Sequence, residues 1–344
     1  MSRWLRSQRT PGQDTRYAFA VGRIRALEAR LLDSARIDRL LDADDAEEAL
    51  RILSDSEYGG LVAELAQATQ FESILTAEED RLWRLFNELC LDGWLRDLIL
   101  SRLDYANLKV LSRLRLILKS EEPWSAREGG VAIDVLSEAL TERTPALLPD
   151  HLASAVGVLL DSESAGRLSP RQTDLVLDHA YFAFLLQQAQ DHGTTFFIQF
   201  VRVWIDLVNI ETFFRMRYFR PDLETVRLAF HNGGTIPVSH FLALLDEPPE
   251  VLGHRFYATA YFSLVEHGSA ALEATGSFSR LEKLLDDYLI DFVRRTKVYP
   301  FGSEPLIAYL LAKEHELKML RMIFMAKTVH IREAALKHRM PEVY

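Results

Sequence analysis

YAFAVGRIRALEARLL, residues 17–32, sets Phe19, Val21, Ile24, Leu27, Leu31 and Leu32 at helical spacing, with Arg23, Arg25, Glu28 and Arg30 mostly off that stripe. The spacing predicts a long amphipathic helix. The same period governs residues 78–100, 105–118, 175–189, 196–219, 256–265, 281–294 and 303–336. Breaks fall at the acidic run 42–48, at Gly59-Gly60, at Gly233-Gly234 and at Pro248-Pro249, where capping and turn chemistry expects them. Convincing runs of strict alternation are absent, so the pattern predicts an all-α fold.

A spaced set of segments organises the chain further. An opening helix begins near Ile37, Ile133 and Val238, and each is followed by a helix with an aspartate ahead of aromatic or leucine residues, at Asp80, Asp178 and Asp286. The separations are 43, 45 and 48 residues. A third helix then carries a polar residue inside an apolar stripe: Asn107 in YANLKVLSRL, Asn209 in LVNIETFFRM and Glu316 in EHELKMLRMI. These lie 27, 31 and 30 residues beyond the aspartates. A period near 100 residues is too long for the common helical solenoids. The repeat predicts three similar modules, 13–125, 126–232 and 233–344, in one compact pseudo-threefold body around an axis, after a flexible segment 1–12.

Composition narrows the function. Of 344 residues 48% are hydrophobic, and glycine and proline are few, which is the make-up of a folded chain. A net charge of -10 opposes binding by neutralisation of nucleic-acid phosphates. The single cysteine, Cys90, has no partner for an intramolecular disulfide and fits a reducing compartment. No apolar run reaches the length of a membrane span, and the first twelve residues lack an apolar signal core, so a soluble protein is expected. Such a protein can still work beside a membrane through an integral partner.

YAFAVGRIRALEARLL, IDRLLDADDAEEALRILSDSEYGG (37–60) and KEHELKMLRMIFMAK (313–327) together resemble the C subunit of bacterial and archaeal A/V-type ATP synthases, which is related to the eukaryotic V-ATPase d subunit. The resemblance runs from about residue 17 to 344. It implies a funnel of three helical modules around a central cavity, which rests on the cytoplasmic loops of the membrane proteolipid ring and receives the foot of the central shaft. It also implies a cytoplasmic, membrane-peripheral rotor subunit that conveys torque and needs no cofactor or metal. The middle module is the least family-like, with family-atypical loops expected within residues 145–170.

The polar positions Asn107, Asn209 and Glu316 sit on apolar faces, and burying each without a partner costs about 1–3 kcal/mol. Either they line a central socket or they tie neighbouring helices. Arg113 and Arg115 follow Asn107, and Arg215 and Arg217 follow Asn209; after Glu316 the same places hold Met322 and Phe324, with Arg321 a partial substitute. These arginines either meet a partner or lie along apolar surface with solvated heads. A basic run through Lys318, Arg321, Lys327, Arg332, Lys337 and Arg339 either meets an acidic partner or complements the helix dipole.

Enzymatic readings are weaker. No Gly-x-x-x-x-Gly-Lys-Ser/Thr or Gly-x-Gly-x-x-Gly sequence is present, and His315-Glu316 is followed by Met319 where a second zinc-binding histidine belongs. Asp44-Asp45, and Asp286-Asp287 with Asp291, resemble the magnesium-holding aspartates of an α-helical isoprenoid synthase. The first pair also fits a helix N-terminus. An unrelated helical scaffold is the other alternative.

Overall fold

Side-chain oxygens at the helix starts determine where the chain turns. Asp33 accepts from Arg36 N at 2.8 Å, and Asp45 accepts from Glu48 N at 2.8 Å while Glu48 reaches back to Asp44 N at 2.9 Å. Each satisfies a backbone N–H that the first helical turn leaves unpaired. The Asp44-Asp45 pair is therefore a helix cap. Ser169 caps a helix that has Pro170 at its first position, where a missing N–H costs nothing.

The computed structural model describes residues 10–64, 67, 70–122, 124, 126–220, 226, 228–329, 336–337 and 339–344. Most of the expected flexible segment 1–12, and Arg332, lie outside them. In chain order the helices are α1 (Ala18–Glu28), α2 (Ser34–Asp42), α3 (Ala46–Ser54), α4 (Gly59–Ala63), α5 (Phe71–Leu89), α6 (Gly93–Ser112), α7 (Ile133–Thr141) and α8 (Asp150–Ser164). They continue as α9 (Pro170–His192), α10 (Thr195–Phe219), α11 (Val238–Ala243), α12 (Pro249–Arg255), α13 (Phe262–Thr275), α14 (Ser279–Arg294) and α15 (Glu304–Thr328). The described residues contain no strand, and the fold is all-α.

Two periodic stretches that read as single helices are interrupted. The stretch 78–100 breaks between α5 and α6, because Cys90 is extended and Leu91 N donates to the buried Tyr17 hydroxyl at 3.0 Å instead of to its own helix. The carbonyl of Asp92 then accepts from Leu95 and Arg96 and starts α6. The stretch 256–265 is a turn until Tyr261, with Thr259 Oγ1 donating to Phe256 O and accepting from Tyr261 N. Hydrophobic period reports which face is buried; it is blind to these local competitors for the backbone.

Among the described residues the chain divides into two compact units, one of residues 92–245 and one in which residues 10–91 join residues 246–344. These boundaries do not coincide with those of the repeat. In the first unit α9 packs on α6, α8 and α10. Leu177, Leu185 and Ala189 are fully buried there, and Trp204 meets the rings of Tyr181 and Phe182 edge-on at 6.0 and 5.8 Å. Such pairs add about 0.5–1.5 kcal/mol each beyond the area they bury.

In the second unit α15 is the central element and packs on α1, α3, α5 and α14. Residues 304–310 are buried on every side, and farther along Leu320, Ile323 and Phe324 are buried while Lys318 and Met325 are exposed on the opposite stripe. Phe324 stacks on Phe71 at 5.3 Å within a core that unites residues from α2–α5 with α15, Leu336 and Met340. Within this unit the basic run meets acidic side chains and carbonyls of its own chain. Arg321 pairs with Glu72 and Glu79, Lys337 with Asp42 and Lys318 with Asp286, while Lys327 donates to the carbonyls of Leu41 and Ala43 at the end of α2.

Candidate functional site

Asp104 and Asn107 stand one turn apart on α6 and grip the chain that leads into α7. Asn107 Nδ2 donates to Arg127 O at 3.0 Å, and its Oδ1 accepts from Trp124 Nε1 at 3.4 Å. The Asp104 carboxylate accepts from Gly130 N at 3.1 Å and Val131 N at 3.0 Å. Burial raises the Asp104 pKa above the usual carboxylate range, and the two N–H donors oppose that shift. A Cβ on Gly129 would lie 2.2 Å from Asp104 Oδ1, so only glycine lets the loop approach this closely.

Asp206 and Asn209 repeat the arrangement on α10. Asn209 is fully buried; its Nδ2 donates to His231 O and its Oδ1 accepts from His231 N, both at 2.8 Å. The Asp206 carboxylate accepts from Thr235 N at 2.9 Å, Ile236 N at 3.0 Å and the Thr235 hydroxyl. A Cβ on Gly234 would meet Asp206 Oδ1 at 2.1 Å. His179 Nε2 also bonds Phe230 O at 3.0 Å, and the His231 ring beside it is pushed down to a pKa of about 4, first by burial and then by His179 and Lys109.

The third instance joins the last long helix to the start of the chain. Glu316 on α15 accepts from Leu32 N at 2.5 Å through Oε2, and from the Tyr58 hydroxyl and Lys313 Nζ, both at 2.7 Å, through Oε1. Lys313, one turn earlier, also pairs with Glu78 at 3.2 Å and lies 4.4 Å from the Tyr58 ring centroid. Val131, Ile236 and Leu32, whose N–H groups are held by carboxylates, each stand two residues ahead of the next helix, α7, α11 and α2. Lysine and glutamate here replace aspartate and asparagine, and the accepting carboxylate moves one turn along the helix.

The sequence pattern singles out the buried members Asn107, Asn209 and Glu316; all are bonded inside the fold. It passes over Asp104, Asp206 and Lys313. A signal existed, since D-Y-A-N (104–107) and D-L-V-N (206–209) share a spacing, and a Gly-Gly pair follows each at Gly129 and Gly233. The structure does not gather the arginines at these latches. Arg113 bonds Asp174 at 2.5 Å, Arg215 pairs with Glu211 at 2.6 Å, and Arg321 serves Glu72 and Glu79. Arg217 donates to the carbonyls of Leu244 and Leu245, and Arg115 to Ser137 Oγ and to the carbonyls of Ser120 and Glu122.

Chemically, the latches hold backbone groups. Among the described residues no group of three histidine, cysteine or acidic side chains is placed to hold a metal ion. Asp286, Asp287 and Asp291 pair with Lys318, Lys283 and Arg294. No helix of the described residues is long and apolar enough to cross a membrane.

Residues 20–339 match the family model described as ATP synthase (C/AC39) subunit. The C subunit of the V-type sodium ATPase of Enterococcus hirae is 23% identical over 321 residues, covering 93% of this chain and 97% of that protein. The C subunit of the A-type ATP synthase of Haloferax volcanii is 27% identical, covering 91% and 93%, and that of Methanosarcina mazei is 26% identical, covering 94% and 92%. A match over nearly the full length, on an all-helical chain whose repeated polar residues fasten backbone, leads to one conclusion: the chain belongs to the ATP synthase (C/AC39) subunit family and, like the subunits it matches, is a structural member of the complex and not a catalytic enzyme.

Proposed function

We propose that the chain is the central-stalk rotor subunit of a V-type/A-type rotary ATPase, seating the central shaft on the membrane proteolipid ring and passing torque between them. The observation that carries this reading is the recurrence of one latch three times. α6 holds the lead into α7, α10 holds the lead into α11, and α15 holds the lead into α2. A repeat whose last member fastens to its first is what three modules arranged around an axis require, and this supports reading 13–125, 126–232 and 233–344 as such modules. Buried, hydrogen-bonded joints and close-packed helices suit a part that must not slip under load.

In this reading the protein is cytoplasmic and held at the membrane through its ring and shaft partners. Torque-linked proton or sodium transport belongs to the whole complex. The test is co-expression with proteolipid-ring and central-shaft subunits, followed by affinity capture and electron microscopy. The expected result is density for this chain on the axis, between ring and shaft. Its recovery on a peripheral stalk, or capture of neither partner, overturns the assignment.

A further inference from the structure

Independently of the rotary assignment, a cavity of about 180 Å³ in the second unit, walled by α1, α5 and α15, gathers hydrogen-bond donors that the fold does not use. Tyr309 on α15 is 6% exposed, lines this cavity, and its hydroxyl bonds to nothing among the described residues. Burial, and then the charges of Glu78 and Glu316, push its pKa up, so the group keeps its proton and is available to donate. Arg81 on α5 stands 3.6 Å from Glu78 and 3.8 Å from Glu57, beyond hydrogen-bond range of both. Arg84 follows one turn later on the same helix and bonds only through Nε, to Asp80 O at 3.3 Å. The terminal nitrogens of both guanidinium groups are therefore unspent.

The carboxylates of the same wall are already committed. Glu88 pairs with Arg23 at 2.5 Å, Glu57 with Arg30 at 2.8 Å, and Glu78 with Lys313 at 3.2 Å. What is left over is all donor: a hydroxyl from α15 and two planar cationic forks from α5. Such a set asks for a ligand made of acceptors that it can reach from more than one direction, and guanidinium forks match the oxygens of a phosphate in pairs. The space equals roughly six water volumes, enough for a tetrahedral oxyanion. We propose that this cavity binds a phosphate-type oxyanion, with Arg81 and Arg84 as its cationic arms and the Tyr309 hydroxyl as its buried neutral donor.

The experiment titrates the full chain with inorganic phosphate at low salt, followed by isothermal calorimetry. One saturable site is expected. Arg84→Ala removes a charged donor from an exposed position and should weaken binding at least about tenfold. Tyr309→Phe should weaken it about threefold to tenfold and leave the thermal unfolding midpoint without phosphate unchanged, because the hydroxyl has no partner in the fold to lose. Sulfate should bind like phosphate, and chloride at least about tenfold more weakly. Glycerol 3-phosphate separates the two sources of this chemistry: binding tighter than that of phosphate supports a phosphorylated small molecule, and equal or weaker binding supports the free anion. Three results overturn the proposal: no saturable binding of phosphate, binding indifferent to both Arg84→Ala and Tyr309→Phe, or chloride binding as tightly as phosphate.

Discussion

Replacing Asn209 with alanine removes both partners of the His231 peptide group at once. The two bonds are 2.8 Å long, Asn209 is fully buried and His231 is 5% exposed, so water cannot replace them in the closed structure. A buried backbone donor or acceptor left unpaired costs about 1–3 kcal/mol, which puts the loss at about 3–5 kcal/mol for the pair. Asn107→Ala gives up one bond of 3.0 Å and a weaker one of 3.4 Å to the part-exposed Trp124, and should cost about 1–2 kcal/mol. The assay is urea unfolding followed by circular dichroism, with native-state hydrogen exchange at the amides of His231, Thr235 and Ile236. Asn209→Asp keeps the acceptor for His231 N and turns a carboxylate oxygen on His231 O, so it should not rescue. A loss below about 1 kcal/mol for Asn209→Ala, or one no larger than for Asn107→Ala, refutes the idea that these side chains hold the fold by satisfying buried backbone.

Four further outcomes are expected. Gly234→Ala should expel the Asp206 carboxylate from its loop, since the added carbon would sit 2.1 Å from Oδ1, and fast exchange at Thr235 and Ile236 would report it. Glu316→Ala leaves Lys313 with Glu78 alone and strips Leu32 N and Tyr58 of their acceptor; a loss of about 3–5 kcal/mol should be seen in denaturant unfolding, as for other broken buried ion pairs. Lys327→Met should cost about 1–3 kcal/mol and loosen the end of α2, read as faster exchange around residues 40–44, because the carbonyls of Leu41 and Ala43 lose a charged donor. His231 has its pKa lowered to about 4, so between the ordinary histidine value near 6.5 and that value the unfolded chain binds a proton that the folded chain does not. Its contribution is complete above about pH 6.5 and is lost as pH falls toward 4, about 3 kcal/mol in all; His231→Leu should flatten the unfolding free energy over that window.

Helix content was legible because the 3.6-residue period records burial along one face, and burial of apolar surface is the dominant force favouring the folded chain. The interrupted stretches were not. The break after Leu89 depends on a hydroxyl from Tyr17, more than seventy residues away, which no local period records. The buried polar residues were readable as a cost needing a remedy. Their remedy, a loop some twenty residues downstream for Asn107 and Asn209, was readable only in part through the Gly-Gly pairs.

The order of amino acids by itself determined an all-helical chain, a family resemblance from about residue 17 onward and a repeat of about a hundred residues, because each rests on patterns that neighbouring residues create together. Tertiary structure alone decided that Glu316 reaches Leu32 and Tyr58, and that the basic run near the C-terminus meets acidic residues and carbonyls of its own chain. These are pairings between residues of different segments of the fold, some of them nearly three hundred positions apart. Their strength comes from desolvated geometry, and only the closed fold creates that.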